Sequence, residues 1–168
     1  MALHYEVPGV HLIRQDKENA CWFASAMMLI NWKERNRPGA GMACSGVDSE
    51  TLDLYKANDG IHNDQIISLA KRLGLVAVAP QTPSMDGLLG WLKLYGPLWT
   101  NGVRHIVVIG GVKEVAVGRY SVKVYNPWPG IPVLWRDFSG WYEGSNPKLR
   151  DNGTRDVGFD VKAVFLHI

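Results

Sequence analysis

Cys21 is one of two cysteines in this chain of 168 residues, and it stands in the stretch QDKENACW, Gln15 to Trp22. A glutamine precedes it by six positions and a tryptophan follows it directly. A thiol attacks carbonyl carbon only as the thiolate, and a free cysteine with a pKa near ~8.5 is mostly protonated at neutral pH. It needs a positive local potential, a base to take its proton, and donors to receive an oxyanion. The sequence offers a source for the first and third here. Cys21 falls at what reads as a helix start, where unpaired backbone N–H groups and the helix dipole favour an anion. Gln15 carries a side-chain amide able to reach back across the turn to the oxyanion, alongside the backbone N–H of Cys21.

The base has to come from elsewhere in the chain, because cysteine–histidine pairs are assembled by the fold. Of five histidines, His105 opens the run HIVVIGGV and so sits at a strand start. His62 precedes a helix and suits a cap, while His4, His11 and His167 lie near the termini. An imidazole beside a thiol also needs its other nitrogen held, so that the ring is oriented and the imidazolium stabilised. Asn126, ending the strand YSVKVY, is the natural partner: antiparallel strands beginning at His105 and ending at Asn126 share one end of a hairpin. Trp128 can cover that bond from water and strengthen it. Each residue has a plainer reading alone. Cysteine in an apolar helix is usually core, glutamine is usually surface, and NPW is a turn. The combination is specific where its members are not. Cys44, in the small-residue loop GAGMACSG, reads as a spectator, since a disulfide to Cys21 would disable the nucleophile.

Helical periodicity fills the first half. From Cys21 to about Arg35, Trp22, Phe23, Ala26, Met27, Leu29 and Ile30 recur at spacings of three and four, which predicts one buried face. Asn19 is placed to cap its start. Further helices are expected from Asp48–Ser49 to Tyr55, from Asn63 to Leu73 with Gly74 as the stop, and from Ser84 to Gly96, with a short strand in LVAVA between the last two. The second half reads as strands: PLWT, RHIVVIGGVKE, YSVKVYN, IPVLWRDF and FDVKAVFLHI, with Gly110–Gly111 as a bulge or bend. GWYEGSNPKLRDNGT is turn-rich, with room for a short helix. Helices first and antiparallel strands afterwards predict one α+β domain over residues 1–168, its helices segregated to one side. A composition of 46% hydrophobic and 20% charged residues is that of a globular chain. A net charge of +2 without a Lys/Arg stripe argues against a nucleic-acid footprint. No apolar run is long enough for a bilayer or shaped like a signal peptide, so a soluble chain made in the cytoplasm, without membrane partners, is expected. The scattered histidines and the lack of a C-x-x-C pattern give no metal site.

Glutamine, cysteine six positions on, tryptophan, then a strand-start histidine and Asn-x-Trp: this order resembles the papain-like cysteine peptidases. YGPLWTNGVRHIVVIGGV is similar to the histidine segment of peptidase domains in bacteriocin-exporting transporters. It is also similar to that of papain-fold effector proteases that bacteria inject into plant cells or rival bacteria. The resemblance spans Arg14 to Trp128. It implies a papain-like fold with a cleft between helices and sheet, and no cofactor. Residue by residue it implies Cys21 as nucleophile, His105 as base, Asn126 as orienter and Gln15 for the oxyanion. ENACW stands where lysosomal members carry GSCW, and the transporter peptidases usually have aspartate where this chain has Asn126. The implied activity is endopeptidase cleavage of a target-cell protein by a delivered effector or toxin, with a cognate immunity protein filling the cleft in the producer. Three alternatives use the same fold: a deamidase or acyltransferase, a leader-peptide-processing peptidase, and a catalytically dead binding module. The last would have lost its cysteine or histidine, and both are present.

Overall fold

The computed structural model describes residues 2–34, 47–78, 83–101, 105–143 and 165–168. In chain order these form β1 (His4–Glu6), α1 (Cys21–Lys33), α2 (Ser49–Ala57) and α3 (Ile66–Leu73), followed by β2 (Val76–Val78) and α4 (Met85–Tyr95). Then come β3 (Leu98–Asn101), β4 (Ile106–Ala116), β5 (Arg119–Tyr125), β6 (Leu134–Asp137), α5 (Phe138–Glu143) and β7 (Phe165–His167). A single 3₁₀ turn, Asn63–Gln65, leads into α3. The expected loop around Cys44 and most of the turn-rich stretch after Trp141 lie outside the described residues.

The strands make one sheet in the order β2-β7-β3-β4-β5-β6, with β1 pairing β4 beyond the end of β3, and every pairing is antiparallel. Alternation along each strand sends side chains to two faces. Trp99, Ile106, Val108, Tyr125 and Leu166 join a core with α1 and α3. Leu98, Val107, Ile109, Val122, Val124 and Phe165 join a second core with Leu88 and Leu92 of α4 and Trp141 of α5. The fold is α+β as expected, but its helices are not confined to one side: α4 and α5 cover the face opposite α1.

Gly110–Gly111 is the expected bulge. The β4–β5 register shifts between Ile109 and Gly111. That extra residue resets the alternation, so Val112 faces the same core as Val107 and Ile109 although its number has the other parity. Glycine is required there by contact: a Cβ on Gly110 would lie 2.6 Å from Cε2 of Tyr125.

α1 departs from the single buried face its spacing predicts. Trp22 through Leu29 are buried without interruption, which makes it a central helix enclosed on all sides. Two bonds fix its height on the sheet. The indole Nε1 of Trp99 donates to the carbonyl of Trp22 at 3.1 Å, and Ser25 Oγ donates to the carbonyl of Ile106 at 3.4 Å. One turn before Ser25, on the same side of the helix, is Cys21.

Candidate active site

Cys21 is the first residue of α1 and a half-buried free thiol. The helix N-cap is Ala20, and no side chain caps the first turn. Asn19, the cap expected from sequence, is engaged elsewhere. Its N–H donates to Asn58 Oδ1 at 3.0 Å and its Nδ2 to the Asn58 carbonyl at 2.8 Å. Asn58, the C-cap of α2, sits in the left-handed region at φ 55°, where asparagine is tolerated better than most residues. The consequence for the sulfur is direct. Burial pushes the Cys21 thiol above its ordinary pKa, while the backbone N–H groups of Ile106, Trp22 and Cys21 itself pull in the other direction. The first of these locates the thiol: it lies against the residue that follows His105.

His105 is buried just ahead of β4, and Asn126 is buried just past the end of β5. The pairing of Val108 with Tyr125 puts the two at the same end of the hairpin. Their side chains meet, with His105 Nε2 and Asn126 Oδ1 2.7 Å apart. A second bond settles the proton positions. The backbone N–H of Trp128, which can only donate, reaches the same Oδ1 at 2.9 Å. That atom is therefore the carbonyl oxygen of the amide, so Nε2 must carry the hydrogen. Nδ1 is then the ring nitrogen left to accept a proton, which is the tautomer a thiol base requires. The ring of Trp128 stands edge-on to the imidazole with centroids 6.2 Å apart.

Gln15 is buried beside this pair, and its backbone N–H donates to the carbonyl of Pro127 at 3.0 Å. Its carboxamide is already occupied. Nε2 donates to the carbonyls of Lys17 at 2.9 Å and Glu18 at 2.8 Å, and Oε1 is buried with no partner among the described residues. Both amide hydrogens brace the turn that delivers Cys21, so service to an oxyanion requires one of them to be released. The same turn is held from outside by Tyr55, whose hydroxyl donates to Asp16 Oδ2 at 2.5 Å.

Sequence reasoning gave no role to Arg14. Its Nη1 donates to the carbonyls of Trp128 at 2.7 Å and Asn126 at 3.4 Å, and also to that of Ile131. The only hint in the sequence is that Pro127 and Pro129 lack N–H groups, so the loop needs a donor from elsewhere. Nothing in the spacing points to position 14. Among the described residues no cluster of three or more His, Cys, Asp or Glu is placed to hold a metal ion.

A thiol at an uncapped helix end that meets the backbone of Ile106, directly after a buried histidine bonded to an asparagine, with helix and sheet each supplying one member, is the arrangement of a class: the papain-like cysteine proteases. The chain belongs to the family described as papain-like cysteine protease AvrRpt2, whose model matches residues 2–133. Among solved structures it is similar to UfSP from C. elegans, with a TM-score of 0.63 and 13% identity over 98% of this chain. The alignment takes in 34% of that protein, so this chain spans about a third of its length, and at that identity the likeness is one of fold. No curated protein matches the chain in sequence.

Proposed function

We propose that the chain is a single-domain endopeptidase working through Cys21, His105 and Asn126, and that it cleaves a specific protein in a cell to which it is delivered. The observation that carries the triad is the shared Oδ1 of Asn126, bonded to both His105 Nε2 and the Trp128 N–H. It leaves Nδ1 as the base. In the reaction, the Sγ–H proton moves to His105 Nδ1 and the thiolate sulfur bonds to the substrate carbonyl carbon. The C=O electron pair shifts to oxygen, where the Cys21 N–H and a released Gln15 amide hydrogen receive it. Collapse of this intermediate breaks the C–N bond, and the Nδ1 proton leaves with the amine. A water then gives its proton to Nδ1, attacks the thioester, and expels the sulfur, which recovers its proton. Because His105 carries a positive charge whenever it holds the thiol proton, in the ion pair and during turnover, the Asn126 bond matters most in those states.

The delivered-effector role rests on the resemblance to injected proteases, and an inhibitor filling the cleft between Cys21 and His105 would protect a producing cell. Among the described residues no helix is long and apolar enough to cross a membrane. The test compares the proteomes of target cells expressing the wild type and Cys21→Ala. New protein termini with the wild type alone are expected, since loss of the nucleophile costs about a million-fold in rate. A mass shift of one deamidated glutamine, with no new termini, would replace proteolysis by deamidation.

A further inference from the structure

The loop that carries Asn126 cannot hold itself. It runs Asn126-Pro127-Trp128-Pro129-Gly130-Ile131, and the two prolines have no N–H to donate. Within the loop the Trp128 N–H is spent on the Asn126 side chain, and the one backbone bond is Ile131 N–H to the Trp128 carbonyl at 3.3 Å. Four of the loop's carbonyls are received by two consecutive residues of another segment. Arg14 takes those of Asn126, Trp128 and Ile131 through a single guanidinium nitrogen, and the Gln15 N–H takes that of Pro127. Six residues on from Gln15 comes the thiol itself. The segment that presents the nucleophile is therefore the same one that fastens the orienting asparagine.

We infer that Arg14 is a positioning residue of the catalytic centre: its guanidinium gathers the 126–131 carbonyls and so fixes Asn126 where it holds His105 in the accepting tautomer. This rests on the proposed triad. Arg14 touches neither thiol nor imidazole in any bond of the structure; it acts through the loop. Without it, four carbonyl contacts fall to the single bonds from Gln15 to Pro127 and, within the loop, from Ile131 to Trp128 among the described residues. Asn126 shifts, and the ring loses both its orientation and the partner that stabilises its positive form. The thiolate–imidazolium pair is then less populated at low pH, while the thiol's reaction once fully ionised is unchanged.

Alkylation of Cys21 by iodoacetamide, followed site by site by mass spectrometry from about pH 5 to about pH 10, reads this without a known substrate. For Arg14→Met the rate near the acid end is expected to fall about tenfold, a displacement effect, with the alkaline rate unchanged. Arg14→Lys, which keeps a cation with three N–H donors, recovers most of the acid-side rate. On an Asn126→Ala background Arg14→Met adds nothing further, because the two act in one line. If Arg14→Met does not fold, Arg14→Gln is read in the same way. An acid-side rate equal to wild type, or an equal loss in the Met and Lys variants, overturns the inference while leaving the triad standing. A wild-type Cys21 that alkylates as slowly as an ordinary thiol across the whole range overturns both.

Discussion

The two faces of the sheet are made by the same strands and do different work. On the side of α4, Leu98, Val107, Ile109, Val122, Val124 and Phe165 meet Leu88, Leu92 and Trp141, a core of aliphatic and aromatic groups. On the side of α1, the apolar core runs up to a cluster of buried polar residues: Gln15, Ser25, His105 and Asn126. Buried polar groups are costly unless bonded, and these are concentrated at one end of one helix and one hairpin. The difference teaches a division of labour. One face supplies the cohesion that lets the other carry groups a core would otherwise exclude.

If that division is real, changes in the polar cluster of the α1 face should alter chemistry at intact stability, and changes on the α4 face the reverse. His105→Ala is the largest expected effect, a loss of cleavage of about a million-fold with the fold retained. Its pH signature is as telling. Alkylation follows the thiolate, which accumulates as pH rises through the thiol pKa. Burial pushes Cys21 upward, so without the imidazole its rate should climb only above the ordinary thiol value of about 8.5. In the wild type, proton transfer to His105 under the proposed triad should move the climb to lower pH. Coincident profiles for the two proteins would remove His105 from the site.

Leu88→Ala probes the other face. Leu88 is fully buried in α4, and its truncation leaves a cavity worth about 2–5 kcal/mol of unfolding free energy. Urea denaturation should show that loss, while the alkylation profile of Cys21 in the folded protein stays that of the wild type. A profile that moves with Leu88 would mean the faces are coupled rather than divided.

How much of this was legible in the sequence follows from which contacts are local in register. His105 and Asn126 could be paired because antiparallel strands joined by a short turn leave little freedom over which residues face each other. The helix stops at Gly74 and Gly96, and the caps at Asp48 and Ser84, are backbone chemistry and were readable for that reason. The side of the sheet that α4 takes was not. An amphipathic pattern says that a face is buried, not against which surface. Asn19 misled because its carboxamide suits a helix cap equally well as the bond it makes to Asn58, 39 positions on. The partners of Arg14 and Gln15 are likewise set by tertiary placement, and residue type alone does not reveal them.

The smallest expected effects come from a pair of glycines that takes the comparison to a single methyl group. Gly90 lies within α4 with nothing inside 4 Å of an added Cβ. There alanine relieves the entropic cost of glycine in a helix and should stabilise by about 0.5–1 kcal/mol. Gly110 lies in the β4 bulge, where the same methyl would meet the ring of Tyr125 at 2.6 Å. Tyr125 is itself buried, so relief must come from movement of the ring or the strand, at about 1–3 kcal/mol. The strand in question ends at Tyr125, and the next residue is Asn126. Gly110→Ala should therefore slow alkylation of Cys21 at low pH as well as lower stability, whereas Gly90→Ala should leave the chemistry untouched. If Gly110→Ala cost stability alone, the bulge would belong to the cohesive face, and its place beside the asparagine would be without catalytic consequence.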